Sequence, residues 1–393
     1  MASAPIQYEK QAPGSLRAEQ KRSRKSIRPW LLAVGFGMLL ALPTAERWLG
    51  LTDTFQSTEN RRLTPFPTFH YPHVLTFVHE LDQYCKESFG FRNALFYEYS
   101  TWKYDMLHTS PLPEKVVIGK QGWLFVGNSY NRVIDQHRGF VQLPDEALQQ
   151  IEQKLLARHQ ELKRVGIRFY VLIAPDSHTI YPEFLPDAYR TDVRQPSSLD
   201  RLTARIQQHG TLPLIDLRDT LMRAKHRYQV YYQTDTHWNE PGALIGCVSL
   251  VDRIRHDVQS IPPPSSAMYQ IRRQPGGYGD LALMLALQSR LHDTFKYTVG
   301  IAPERKAHQL AEFDMPGHYL PAAKYAGPNR QAPRLLLFGD SFSHNLIKFL
   351  PGYFSHTYHI YQTTFNPKLV QAEKPDVVVL EIVERDLDKL ALF

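Results

Sequence analysis

Cysteine is nearly absent from this chain: 393 residues carry two, Cys85 and Cys247. So few thiols exclude a disulfide-framework fold and the paired Cys-x-x-Cys arrays of structural zinc sites. An oxidising compartment would permit one bridge between them without requiring it. A Gly-x-x-x-x-Gly-Lys phosphate loop is also missing. The run Gly276-Gly277-Tyr278-Gly279 is followed by no lysine and succeeds no clear strand, so nucleotide-phosphate binding has no anchor. Acidic residues are outnumbered, 39 against 46 Lys and Arg, for a net charge of +7. Part of that excess lies before residue 29, and with no basic repeat the chain reads against nucleic acid as a partner. No metal-ligand array and no cofactor motif occur either.

What is present is enough to bury a core: 43% of residues are hydrophobic and 12% aromatic. Residues 1–28 are polar and hold a basic cluster, Lys21, Arg22, Arg24, Lys25 and Arg28, expected to stay cytoplasmic. An uncharged run from Trp30 to Leu42 follows. Extended from Pro29 to Ala45, it just reaches the roughly 17 residues that a membrane-spanning helix needs. Positive charge ahead of an apolar segment is a signature of export with the N-terminus inside. Pro43 would sit three residues before a cut after Ala45, so residues 29–49 read as an uncleaved signal-anchor. That expectation makes the protein single-pass in the inner membrane, with the remainder in the periplasm.

Residues 50–140 read as an N-terminal segment packed on the core: a Pro-rich entry at 65–72, apolar residues at helical spacing from His73 to His108, then a hairpin. The hairpin is two short apolar runs, Val116-Val117-Ile118 and Trp123-Leu124-Phe125-Val126, joined by Gly119-Lys120-Gln121-Gly122. From residue 141 to the end, strand and helix patterns alternate. The helical patterns cover Pro144 to Val165, Leu199 to His209, Arg218 to Tyr228 and Glu240 to Val258. Near-continuous apolar strands cover Ile167 to Ala174, Leu212 to Leu217, Leu335 to Phe338 and Asp376 to Val383. This alternation predicts an α/β fold: a doubly wound parallel sheet with helices on both faces. Residues 259–333 break the pattern with loop chemistry and read as an insertion over the active-site edge.

The chemistry concentrates in two stretches. Leu335-Leu336-Leu337-Phe338-Gly339-Asp340-Ser341 is a strand running into a sharp turn that presents Ser341 at the strand's carboxyl end, where open α/β sheets place their sites. A serine needs a base to become a nucleophile. Thr234-Asp235-Thr236-His237-Trp238-Asn239 supplies one, with an Asp two residues before a His. Taken alone, Asp340 or Ser341 would more often cap the next helix, and an isolated Asp-x-His is more often a surface pair.

The combination Gly-Asp-Ser-Phe with an upstream Asp-x-His-Trp resembles the SGNH-like domain of the alginate O-acetyltransferase family, the AlgJ and AlgX type of bacterial exopolysaccharide secretion. The order Asp, His, Ser matches the permuted acetyltransferase branch. The Phe91-Arg92-Asn93 segment, the Gly-Lys-x-Gly-Trp-Leu-Phe hairpin and Glu384-Arg385-Asp386-Leu387 resemble the same family independently of those three residues. The resemblance implies an SGNH hydrolase-like fold and a catalytic triad of Ser341, His237 and Asp235. It also implies acetyl transfer to an alginate-like or cellulose-like exopolysaccharide, and a membrane-bound O-acyltransferase partner that delivers acetyl groups. Asp340, Asn239, Trp238, His178, Tyr181 and Arg385 are candidates for oxyanion or substrate contacts, with Asn345 as a further oxyanion donor. His178 stands near where the family's loop carries a lysine. Two other readings use the same residues: a carbohydrate O-acetyl esterase with water as acceptor, and a noncatalytic glycan-binding subunit of a secretion complex.

Overall fold

The computed structural model describes residues 27–52, 54–55, 63–190, 196–315 and 321–393. The basic tail lies outside them through residue 26, as do residues 316–320 of the insertion. The strands, in chain order, are β1 (Val116–Ile118), β2 (Leu124–Val126), β3 (Arg168–Ala174), β4 (Leu214–Asp216), β5 (Tyr269–Pro275), β6 (Phe295–Ile301), β7 (His308–Phe313), β8 (Ala322–Ala326), β9 (Arg334–Gly339), β10 (His356–Tyr361) and β11 (Val377–Val383). Seven of them form one sheet in the order β4-β3-β11-β9-β10-β8-β7.

The first five neighbours in that order pair in parallel. β3, β9 and β11, buried on both faces, need apolar side chains at nearly every position, and the sequence supplies them apart from Arg168, Arg334 and Glu381. Alternate residues feed two separate cores. Tyr170, Leu172, Leu335, Leu337, Val377 and Val379 enter one, together with Leu250, Val251 and Ile254 of the helix Glu240–Asp257. Phe169, Val171, Ile173, Leu336, Phe338, Val378 and Leu380 enter the other, with Leu148, Ile151 and Leu155 of the helix Asp145–Arg164 and Leu199, Leu202 and Ile206 of the helix Ser198–His209. Helices therefore cover both faces, as the alternation predicts. The hairpin β1–β2 forms in register, Val117 opposite Phe125, and joins the first core.

The sheet is mixed rather than wholly parallel. β8 runs antiparallel to β10, and β7 antiparallel to β8. Both come from residues 259–333, as does a separate antiparallel ribbon of β5 and β6. The insertion thus extends the sheet as well as lying over its edge.

Two compact units are present: residues 1–54 with 63–92, and residues 55–62 with 93–393. In the first, a helix runs over Ile27–Leu49, where the signal-anchor was expected. No helix among the described residues is long and apolar enough to cross a membrane. The uncharged run Trp30 to Leu42 by itself would span about 20 Å at 1.5 Å per residue, against a bilayer core of about 30 Å. The helix then continues through Pro43, Glu46 and Arg47. Both cysteines are unbonded, Cys85 exposed and Cys247 buried.

At the end of β9 the chain must turn within a crowded space. A Cβ at Gly339 would lie 2.5 Å from the Ser343 Cβ, 2.6 Å from the Ser343 Oγ and 3.0 Å from a Glu381 carboxyl oxygen. Short, buried side chains cannot swing away, so Gly339→Ala is expected to destabilise the protein by about 1–3 kcal/mol through overpacking. Urea unfolding should show the midpoint moving down at an unchanged slope; a midpoint equal to wild type would refute this account of Gly339.

Candidate active site

β9 delivers Asp340 and Ser341 to the carboxyl edge of the sheet, beside the end of β11. Asp340 is a structural tie here, not a substrate contact. One of its carboxylate oxygens accepts from the Phe342 N–H at 2.8 Å and the other from the Val383 N–H at 2.7 Å. Its own N–H donates to Glu381 at 3.3 Å. The Ser343 Oγ donates to the Asp340 carbonyl at 2.6 Å and meets the His359 Nε2 at 2.7 Å. The helix expected after Ser341 is a single α-turn, Ser343–Leu346, followed by a 3₁₀ turn at Leu350–Tyr353. So short a helix contributes little dipole, and the local donor is the Ser341 N–H itself, which has no acceptor among the described residues.

The second stretch closes on the first. The His237 Nε2 lies 2.9 Å from the Ser341 Oγ, and its Nδ1 lies 2.8 Å from the Asp235 carboxylate. Asp235 also accepts from the His237 N–H at 2.9 Å and from the Asp280 N–H at 3.0 Å. Residues 104 positions apart thus form one continuous hydrogen-bonded chain. Burial acts to lower the His237 pKa, but the hydrogen bond and charge of Asp235, with the charge of Asp280, outweigh it and hold the imidazole above its ordinary value. Burial likewise acts to raise Asp235, and its bonds to His237 and to backbone N–H groups turn the net shift downward. That is the electrostatic arrangement of a base oriented by a carboxylate: a serine proton can pass to Nε2 while Asp235 stabilises the imidazolium.

Asp280 is the residue that sequence reasoning missed. It accepts from the Thr236 N–H at 2.8 Å, and its other oxygen is 4.0 Å from the His237 Nδ1. Burial and the neighbouring Asp235 charge raise it to about 6. The only signal lay in Gly279-Asp280, inside a stretch that reads as loop. Asp235, His237 and Asp280 could each offer a metal one ligand atom, within 4.8 Å of one another. Either ring nitrogen of His237 given to a metal would lose its contact to Ser341 or to Asp235, so the two uses exclude one another.

Of the remaining candidates, Trp238 and Asn239 hold these stretches in place. Trp238 is fully buried, donates from Nε1 to the Phe342 carbonyl at 3.0 Å, and accepts at its own carbonyl from Asn345 at 2.9 Å. It fastens the base segment to the nucleophile segment. Asn239 caps the helix Glu240–Asp257 by accepting from the Gly242 N–H at 3.1 Å, while its amide donates to the Gln229 and Tyr231 carbonyls at 2.7 and 3.3 Å. It has no donor left for an oxyanion. Asn345 has one amide hydrogen left after its bond to Trp238. Tyr181 is buried against Trp123, and its hydroxyl accepts from the Val230 N–H at 2.9 Å. His178 is fully buried, bonds the Val126 carbonyl at 3.0 Å, and is held neutral by burial, with its pKa lowered to about 3. It is not placed to act as an alternative base. Arg385 pairs with buried Asp176, its main-chain N–H donates to the same carboxylate at 2.9 Å, and its guanidinium lies 5.7 Å from the Phe342 ring centre.

Residues 116–380 match the family described as SGNH hydrolase-like domain, acetyltransferase AlgX. The probable alginate O-acetylase AlgJ of Pseudomonas aeruginosa is 27% identical over 239 residues, 58% of this chain and 56% of that protein. The protein of the same description from Azotobacter vinelandii is 29% identical over 178 residues, 44% of this chain and 42% of its own length. The chain thus spans about half the length, or less, of the curated relatives it matches. Among solved structures, Bacillus cereus PatB1 superposes with a TM-score of 0.52 at 16% identity, covering 70% of this chain and 98% of that one, which bears on the fold alone. The match over residues 116–380 takes in the hairpin, the mixed sheet and all three members of the Ser341–His237–Asp235 chain: this protein belongs to the SGNH hydrolase-like AlgX acetyltransferase family.

Proposed function

We propose that the protein is an O-acetyltransferase that moves acetyl groups onto hydroxyls of an exopolysaccharide, alginate-like or cellulose-like, through an acetyl-Ser341 intermediate. The observation that carries this reading is the continuous chain from the Ser341 Oγ to the His237 Nε2 at 2.9 Å and from the Nδ1 to Asp235 at 2.8 Å, in a member of an acetyltransferase family. His237 takes the Ser341 proton as the Oγ attacks the acetyl carbonyl. The Ser341 N–H is placed beside the oxygen on which negative charge would collect. His237 then returns the proton to the departing group. A sugar hydroxyl, deprotonated by the same imidazole, attacks the acyl-enzyme; the sugar gains the acetyl ester and Ser341 regains its proton. An esterase would use the same groups with water as acceptor, and the two readings separate by following acetyl to oligosaccharide against acetate release.

Acetyl-CoA is cytoplasmic, and the basic cluster ahead of a short apolar run supports export. We therefore place the catalytic domain in the periplasm, with a membrane-bound O-acyltransferase at the inner membrane supplying acetyl groups. A C-terminal reporter should become active only outside the cytoplasm; activity in the cytoplasm would refute this placement.

Ser341→Ala should abolish acetyl transfer and reaction with a serine-directed acylating probe while leaving thermal unfolding unchanged, because one hydroxyl contributes little packing. Transfer retained by a folded variant would rule Ser341 out. Asp235→Asn should lower the rate by about 10⁴-fold, as the equivalent change does in a serine protease, and His237→Ala by at least as much. The double variant should lose little more, since members of one chain act as a unit. Additive losses would show that the two act separately.

Activity should rise with pH as His237 loses its proton and can accept one from Ser341. Because the Asp235 and Asp280 carboxylates hold its pKa up against burial, the midpoint of kcat/KM should lie above the ordinary histidine value of about 6.5. Asp280→Asn, which removes one of these charges, should move that midpoint down. An acid limb that does not move would exclude Asp280 from the electrostatics of the base.

A further inference from the structure

A polar cavity opens on the carboxyl edge of the sheet and contains none of the three triad residues. It measures about 170 Å³ and is walled by Gln136, His137, Asp176, His178, Arg218 and Glu384, with Arg385 beside them. Asp176 follows β3, Arg218 follows β4 and Glu384 follows β11, whereas Ser341 follows β9, the other neighbour of β11. With strands about 4.8 Å apart, β3 and β9 are separated by roughly 10 Å, so cavity and nucleophile share one edge at short range.

The charges in its walls are already matched. Arg218 bonds Asp216 at 2.6 Å and Asp200 at 2.7 Å, Arg385 pairs with Asp176, and Glu384 accepts from the Asp176 N–H at 3.1 Å and the Thr179 hydroxyl at 2.7 Å. What is left over is hydrogen-bonding capacity. The Val126 carbonyl can only accept, so the His178 Nε2 carries the hydrogen and its Nδ1 is a bare acceptor. That Nδ1 is buried and has no partner among the described residues. An unmatched buried acceptor costs about 1–3 kcal/mol, which a donor from a ligand would relieve. Val133, Val141, Leu199 and Leu387 supply apolar wall beside these polar groups.

Size narrows the ligand further. The volume is many times the roughly 10–15 Å³ that one water requires and below the roughly 300–1,000 Å³ of sites for drug-sized molecules. A single ring bearing several hydroxyls and an apolar C–H face suits both its volume and its mixture of walls. We propose that this cavity is a glycosyl subsite, in which one sugar unit of the acceptor chain donates a hydroxyl to the His178 Nδ1 while a nearby unit of the same chain presents its hydroxyl at Ser341. This inference rests on the proposed polysaccharide acceptor.

The test separates the two claims. Full-chain Ser341→Ala protein is titrated with mannuronate hexamer, with cellohexaose and with free hexose. At least one hexamer should bind saturably and more tightly than the free sugar. Adding Val141→Trp, which puts a large ring on a partly exposed wall of the cavity, or His178→Leu, which removes the acceptor, should each weaken hexamer binding by about tenfold, the scale of one or two hydrogen bonds to buried polar atoms. With Ser341 intact, both variants should hydrolyse p-nitrophenyl acetate within about twofold of wild type, because the base and nucleophile are untouched. Hexamer affinity unchanged in Val141→Trp, binding of neither hexamer, or equal affinity for free hexose would each overturn the subsite. A parallel loss of ester hydrolysis would assign the cavity to support of the catalytic groups instead. Should His178→Leu fail to fold, Val141→Trp, on a partly exposed wall, decides the question. Loss of the proposed acetyltransferase reading would show separately, as a wild-type protein whose Ser341 forms no acyl adduct.

Discussion

The structure turns on the Asp340 carboxylate. It lies half-buried at the point where two parallel strands end, and its two oxygens reach one N–H in its own turn, from Phe342, and one at the end of β11, from Val383. A carboxylate drawn partly out of water is tolerable when its lone pairs are matched. Burial pushes Asp340 upward, and these two bonds work against that push. Because both donors are backbone groups, the turn carrying Ser341 is fixed to the sheet and not to a mobile side chain. Beneath it lies Glu381, the only charged side chain in β11 and fully buried. Burial, with the Asp340 charge beside it, pushes its pKa well above the ordinary carboxyl value. One of its oxygens receives the Asp340 N–H.

From that fixed point the base is held by shape. Trp238 bonds the Phe342 carbonyl and Asn345 bonds the Trp238 carbonyl, a reciprocal fastening between the nucleophile segment and the base segment. Asn239 then caps the helix Glu240–Asp257, whose buried face packs Leu250, Val251 and Ile254 into the core. The position of His237 is therefore set by a cap and a buried indole on one side and by Asp235 on the other. Residues that look like donors for chemistry turn out to be the joints between elements, because their hydrogen bonds are already taken by backbone groups.

What could be read in advance follows from burial. β3, β9 and β11 are covered on both faces, so their sequences are nearly uninterrupted apolar runs, and the strands, the doubly wound layers and the placement of Ser341 at a strand end were all legible. β5 and β7 are largely exposed, and Arg272, Arg273 and Gln309 follow no apolar alternation. Nothing in such strands distinguishes them from loop, so the antiparallel side of the sheet was not legible. The helix at residues 27–49 was legible as a helix. Asp235, His237 and Ser341 could be paired because each sits in a local pattern. Asp280 could not, because its proximity to His237 exists only after the insertion folds back.

That folding back gives the insertion a definite role in the chemistry. Asp293 accepts from the Gln233 N–H at 3.1 Å and the Thr234 N–H at 2.8 Å, and from the Thr234 hydroxyl at 2.7 Å. The Gly279 N–H donates to the Thr234 hydroxyl at 2.8 Å, and the Asp280 N–H donates to Asp235 itself. A Cβ at Gly279 would lie 2.4 Å from the Asp235 Cβ, so only glycine allows the two backbones to approach this closely. Gln233 and Thr234 before Asp235 and Thr236 after it are thus held by a segment more than forty positions away, and the N–H that completes the Asp235 carboxylate comes from that segment. The carboxylate that orients the base is consequently shaped by the least regular part of the chain. Substitution there should be felt first in how well His237 accepts a proton, and only later in whether the sheet folds.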